Sequence, residues 1–220
     1  LKDTKGQESK FQDLVKQSQY KIQQIKQEIY YLQQNGVSVE DAIKYGNLAA
    51  LAVGFRRAFL LAELVVESGL GRNVGKCNRA GDPPSKSYRV IMKPSRDIQP
   101  FLRITSQLGL DPETTAVSCP QTNGWGGAMG PAQFIPSTWL GYTDQVTQIV
   151  GRIANPWNIQ DAFTASALKL ARGGATAKTP AAEISASKAY YSGNPNCSTA
   201  ACRSYANAVQ RVAAELQQNL

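Results

Sequence analysis

The sequence predicts a mainly α-helical protein, and three observations predict it. Apolar residues recur at steps of three and four along most of the chain, the spacing that lines one face of a helix. Period-two alternation, the mark of a half-buried strand, is scarce. Capping residues and glycines bracket the periodic stretches, as helix starts and stops do. Hydrophobic residues make up 42% of the 220 and charged residues 18%, an ordinary globular balance, and neither an internal repeat nor a low-complexity tract is present.

Residues 1–35 form the first unit. Phe11, Val15, Ser18, Ile22, Ile25, Ile29 and Leu32 alternate steps of four and three, with Lys, Gln and Glu between them. This is a heptad seam of about three heptads with Ser18 as its one polar position. So narrow a stripe calls for a coiled-coil partner or a homodimer through residues 11–32; the alternative is an amphipathic helix lying back on its own domain. Asn35-Gly36 ends it, and a second unit spans 36–220. Ser38 with Asp41 restarts a helix in the manner of a capping box, and the pattern runs from Val39 to Glu67 with a break near Gly46 or Gly54. The most apolar window, Leu48 to Val66, is long enough to span a bilayer but holds Arg56, Arg57 and Glu63. Charges there are costly in lipid, so a buried helix is expected, and any membrane anchor would lie before residue 1.

Residues 69–97 are turn-rich and read as an ordered loop with a short hairpin at Tyr88–Met92. Helices follow at 98–108, 137–150, 159–172, 180–191 and 199–218. Asp97, Ser137, Asn158, Thr179 and Ser198 are the expected N-caps, and Gly151 and Gly173 the expected stops. The last helix carries Cys202, Tyr205, Val209, Val212 and Leu216 on one stripe.

The chain contains no histidine, which excludes Ser-His-Asp and Cys-His catalysis, HExxH zinc sites and imidazole relays. Lys and Arg number 24 against 16 Asp and Glu, a net charge of +8. The basic residues are scattered and no nucleic-acid-binding motif accompanies them, so an anionic partner other than nucleic acid is expected. Cys77, Cys119, Cys197 and Cys202 lie in loop-like sequence without zinc-knuckle spacing, which points to disulfides and an oxidising compartment rather than to metal. Three pairings are possible. Cys197–Cys202, clipping a short turn, with Cys77–Cys119, joining two long loops, is the favoured one; the alternative is four free thiols. No metal or cofactor is expected.

Acid–base chemistry then falls to carboxylates. Glu67 closes the apolar run Ala58–Val66 and is followed at once by Ser68-Gly69-Leu70-Gly71. A helix C-terminus and apolar surroundings both disfavour a charged carboxylate, so its pKa should rise, as protonating a glycosidic oxygen requires. Glu63, one turn earlier, is the rival; the plainest reading of Glu67 is a solvated residue before a helix stop. The stretch Gly126–Trp139 (GGAMGPAQFIPSTW) offers glycines for close backbone approach to a ligand. Met129, Phe134 and Trp139 offer apolar surface for a sugar face, and Gln133 an amide for a hydroxyl or acetamido group. Without a ligand it is a Gly-rich turn into a helix. Tyr190-Tyr191 ends the penultimate helix, where tyrosines serve packing or ligand contact.

Taken in order, these segments resemble a lytic murein transglycosylase of the type B group, related to the goose-type lysozyme fold. Glu67-Ser68-Gly69 resembles the family's catalytic E-S segment, and GAMGPAQFIPSTW its G-A-M-G-x-x-Q-F-x-P-S-S/T stretch, the most specific of the matches. Asn155–Ala162 (NPWNIQDA) resembles the segment before a core helix, and Tyr190 stands at the family's motif tyrosine. The likeness covers about 160 of the 220 residues and leaves out the heptad helix. Tyr191 replaces the usual Asn, and Gly124 stands where some relatives have a serine. The resemblance implies a lysozyme-like domain acting on peptidoglycan glycan strands outside the cytoplasm. Glu67 would be the single catalytic residue, and Ser68, Met129, Gly130, Gln133, Phe134, Tyr190 and Tyr191 would contact substrate. Two rivals remain: a hydrolase using Glu67 with Asp82, Asp144 or Asp161 to activate water, and a non-catalytic glycan-binding scaffold docked through the heptad helix.

Overall fold

A computed structural model describes residues 39–67, 75–120 and 124–218, with side chains from Lys44 onward. The heptad segment, the Ser38 restart, Ser68 and the Gly69–Gly71 stop lie outside the described residues. Within them the chain is helix and turn, and the β pairings are two isolated bridges, Cys77 with Val117 and Met129 with Phe134.

Helices α1 (Val39–Val53) and α2 (Arg57–Glu67) divide the first helical region. The break falls at Gly54, whose φ of 85° is left-handed. Gly46 instead sits inside α1: a Cβ there would meet Leu61 Cδ2 at 2.6 Å, so the bare glycine lets α1 and α2 approach closely. Ala58 through Leu64 are buried without interruption, Glu63 among otherwise apolar side chains, so α2 is enclosed on every face and is the central helix. α9 (Ala200–Gln217) and α1 pack along it, α8 (Pro180–Ser192) against α9, and α7 (Ile159–Arg172) against α1 and α2. Arg56, in the α1–α2 turn, donates through Nε and Nη2 to Glu183 at 2.7 and 2.6 Å. Glu183 is 1% exposed and also accepts from Gln210 Nε2 at 3.2 Å, so this paired charge ties α2 to α8 and α9.

The hairpin expected at Tyr88–Met92 is instead one helical turn, α3 (Tyr88–Ile91). Tyr88, Ile91 and Met92 are buried at i, i+3 and i+4, a helical spacing that a strand would split between two faces. A π-helical turn, Pro94–Ile98, leads into α4 (Gln99–Gln107). The expected 137–150 helix is two, α5 (Pro136–Leu140) and α6 (Thr143–Val150), separated at Gly141-Tyr142.

Asn158 and Thr179 cap α7 and α8 as expected. Thr199 rather than Ser198 caps α9, accepting from Cys202 N–H. Ser137 does not cap α5, which opens at Pro136; its Oγ and N–H donate to Asp97 Oδ1 at 2.8 and 3.3 Å. Asp97, expected at the start of its own helix, therefore caps α5 across the fold. Gly151 stops α6 in a left-handed conformation, while α7 ends at a right-handed Gly173 followed by left-handed Gly174.

Both favoured disulfides, Cys77–Cys119 and Cys197–Cys202, are formed, which suits an oxidising, extracytoplasmic environment. No described helix is long and apolar enough to cross a membrane.

Candidate active site

A cleft of about 670 Å³ is lined by Glu67, Gln133, Phe134, Tyr190 and Tyr191 together. Residues 66 to 124 apart in sequence are thus brought to one wall by the packing of α2, α8 and the Gly-rich segment. Glu67 is the last described residue of α2 and is partly buried. Burial pushes its carboxyl above the usual carboxylate range, while a hydrogen bond from Tyr205 and the nearby Lys169 ammonium pull it back. Glu63, one turn behind, is 0% exposed and does not line the cleft, so it cannot touch a ligand there. Its burial outweighs the hydrogen bonds from Tyr205 and Ser187 and raises its pKa to about 8. Ser187 Oγ reaches Glu63 Oε2 at 2.8 Å, and the Tyr205 hydroxyl lies 2.7 Å from Glu63 Oε1 and 2.7 Å from Glu67 Oε1.

The Gly-rich segment is held from beneath, close to the Cys77–Cys119 disulfide. Ser118 accepts from Gly127 N–H at 2.8 Å and donates its own N–H to Ala128 O at 2.9 Å, while Gly126 N–H reaches Ile91 O at 2.8 Å. Close approach is indeed why glycine stands here, but the partner is the chain's own backbone. A Cβ on Gly130 would lie 1.9 Å from Pro156 O, and its φ is +60°. Gly130 therefore packs the segment onto the loop before α7 and does not line the cleft. Met129, 0% exposed, and Trp139, 1% exposed, are core residues, correcting their expected contact with substrate. Trp139 instead braces Phe134 edge-on, with ring centroids 5.6 Å apart.

Gln133 is the segment's contribution to the cleft. It adopts a left-handed φ of 52°, uncommon outside glycine, and its Nε2 donates to Gly130 O at 2.7 Å. That bond fixes the amide and leaves Oε1 available to a hydroxyl or acetamido N–H. The Tyr190 hydroxyl is turned inward, within 3.0 Å of Ser166 Oγ and donating to Ala132 O at 3.4 Å, so Tyr190 does not offer its OH to the cleft. Burial and the Glu67 charge push its pKa well up. Tyr191 is 50% exposed and stacks on Tyr205, ring centroids 4.8 Å apart. Ser68 lies outside the described residues.

Sequence reasoning missed Lys169 and Tyr205 as site residues. Lys169 Nζ lies 3.8 Å above the Tyr190 ring, donates to Tyr190 O at 3.0 Å, and lines the cleft. Burial lowers its pKa, opposed by Glu67 and Glu63. A lone lysine inside the apolar α7 was the available signal. Arg96 and Arg172 add positive charge to the rim. Among the described residues no cluster of His, Cys, Asp or Glu could hold a metal.

Fold and site define a helical, disulfide-bonded protein with one carboxylate in a cleft walled by aromatic rings and cations. No family model, curated protein or solved structure matches the chain.

Proposed function

We propose that the chain is a peptidoglycan lytic transglycosylase with a lysozyme-like domain, cleaving the β-1,4 bond between N-acetylmuramic acid and N-acetylglucosamine. The observation that carries this reading is that Glu67 is the one carboxylate lining the cleft among the described residues, beside Gln133 and Tyr190. The aspartates that a water-activating mechanism would draw on are placed elsewhere. Asp161 is buried in a bidentate pair with Arg152 at 2.6 and 2.7 Å. Asp82 sits in a separate depression with Arg79 and Glu113, and Asp144 is exposed on α6. A single carboxylate favours the anhydro product over hydrolysis.

In the proposed reaction the Glu67 carboxylic acid gives its proton to the glycosidic oxygen as the C1–O bond breaks. The muramoyl acetamide supports the developing charge at C1, as in substrate-assisted glycosidases. The Glu67 carboxylate then takes the C6 hydroxyl proton while that oxygen bonds to C1, closing a 1,6-anhydro ring without consuming water. Tyr191, half exposed at the cleft, presents surface for a sugar face, with the buried Phe134 and Tyr190 forming the wall behind it, and Gln133 offers an amide for an acetamido group. The cationic rim and the +8 charge suit an anionic wall. The disulfides suit a secreted, periplasmic or wall-associated location, with the heptad segment 11–32 joining a partner helix or a second copy.

Mass spectrometry of wall digests tests this. The wild type should release muropeptides carrying 1,6-anhydro ends, and Glu67→Gln should release them about 10²–10⁴-fold more slowly. Reducing ends would point to the hydrolase, and wall binding without soluble fragments to the scaffold.

A further inference from the structure

Tyr205 poses a counting problem. One phenol carries one proton, yet its oxygen lies 2.7 Å from Glu63 Oε1 and 2.7 Å from Glu67 Oε1. If both carboxyls were ionised, one of those contacts would set two acceptors against each other with no hydrogen between them. Burial and the two carboxylates hold the phenol in its protonated form. The missing hydrogen therefore belongs to a carboxyl group.

We propose that Glu63, Tyr205 and Glu67 form a proton relay in which one carboxyl proton is shared by the two glutamates through the tyrosine, and buried Glu63 stores the proton that Glu67 delivers to its ligand. At rest the Glu63 carboxylic acid donates to the Tyr205 oxygen and the Tyr205 hydroxyl donates to the Glu67 carboxylate. Loading moves two hydrogens in one direction. Glu63 gives its proton to the Tyr205 oxygen, and Tyr205 gives its own to Glu67. The phenol ends as it began, Glu63 becomes the carboxylate and Glu67 the acid, with net charge unchanged. The store rests on Glu63 because it is the fully enclosed member, whereas Glu67 faces the cleft and the Lys169 ammonium. Among the described residues, the charged or titratable groups facing the trio are Lys169 from α7 and Tyr190 and Tyr191 from α8, Tyr191 stacked on the Tyr205 ring, with Ser187 of α8 donating to Glu63 Oε2. That serine bond holds Glu63 once it has given up its proton. A ligand covering the cleft strips Glu67 of its remaining water and draws the proton toward it. Glu63 and Tyr205 are thus positioning residues, and the catalytic role of Glu67 rests on the function proposed above.

Carboxyl ¹³C NMR titration of the whole chain, labelled at glutamate Cδ and assigned with Glu63→Gln and Glu67→Gln, tests the relay without any substrate. In the wild type at pH 6, Glu63 should give the shift of a carboxylic acid. Glu67→Gln removes the carboxylate charge that keeps the proton on Glu63 and frees the Tyr205 hydroxyl to turn to it, so the Glu63 midpoint should fall by about one pH unit or more. Glu63→Gln, whose amide donates to the Tyr205 oxygen as the acid does, should leave the Glu67 midpoint in place. Tyr205→Phe removes the bond that stabilises the Glu67 carboxylate, so the Glu67 midpoint should rise by about one pH unit or more. A Glu63 ionised at pH 6, a Glu63 midpoint that does not fall in Glu67→Gln, or a Glu67 midpoint that does not rise in Tyr205→Phe, would overturn the relay. Should Tyr205→Phe fail to fold, the wild-type Glu63 shift and the Glu63 midpoint in Glu67→Gln decide it. An inactive protein with these titrations would refute the transglycosylase reading and leave the relay standing.

Discussion

Replacing Glu63 by Gln should remove most of a pH dependence of stability that the wild type carries. In the fold Glu63 is fully buried with its pKa raised from 4.5 to about 8. Between those values the folded chain keeps a proton that the unfolded chain has released. Stability therefore falls as pH rises through the window, at about 1.4 kcal/mol per pH unit. From pH 5 to pH 8 this amounts to about 3–4 kcal/mol, a large part of the about 5–15 kcal/mol that holds a domain together. Gln fills the same volume, accepts from Ser187 and donates to the Tyr205 oxygen, so the packing persists while the titration disappears. Urea unfolding at half-unit steps of pH measures it. The two chains should have similar stability near pH 5, and the variant should be about 3 kcal/mol the more stable at pH 8. Parallel curves for the two chains would refute the burial argument, because they would mean that Glu63 is already ionised in the fold.

Two further perturbations test the supports of the site. Cys77 and Cys119 close a 42-residue separation and Cys197 and Cys202 one of 5; loop-closure entropy predicts losses of about 4 and about 2 kcal/mol for the respective double Ser variants, read as urea midpoints. Gly130→Ala drives a Cβ to 1.9 Å from Pro156 O at a φ of +60° and should cost about 3 kcal/mol or more, with a melting-temperature change of under a degree contradicting the packing role.

Local rules made the helices legible. Asn158 and Thr179 cap where they should, Gly151 stops α6, and the 159–172 helix is where its pattern put it. Errors arose where a distant group replaced the local one. Asp97 caps α5 from 40 residues away, which sequence spacing cannot reveal. The hairpin expected at Tyr88–Met92 failed because so short a stretch does not separate periods of 2 and 3.6, and only burial of Tyr88, Ile91 and Met92 together does.

The site was legible in part for the same reason. Glu67, Gln133, Phe134, Tyr190 and Tyr191 stood out by residue type beside breaks in helices, and they meet at the cleft. Met129, Gly130 and Trp139 lie in the same segment, but tertiary packing turns them away from the cleft, an outcome that depends on what lies beneath. Tyr205 read as one more residue of an apolar stripe; its importance comes from α9 packing on α2, which sets its hydroxyl between two carboxyls.

The most direct test of the central claim, that Glu67 is the acid acting on a glycan, is a crystal structure of Glu67→Gln with a tetrasaccharide of alternating N-acetylglucosamine and N-acetylmuramic acid. The account predicts the sugar chain along the cleft with a glycosidic oxygen about 2.6–3.2 Å from the residue 67 side chain and an acetamido group against Gln133. A tetrasaccharide bound on another face, or lying in the cleft with no glycosidic oxygen in reach of residue 67, would contradict it.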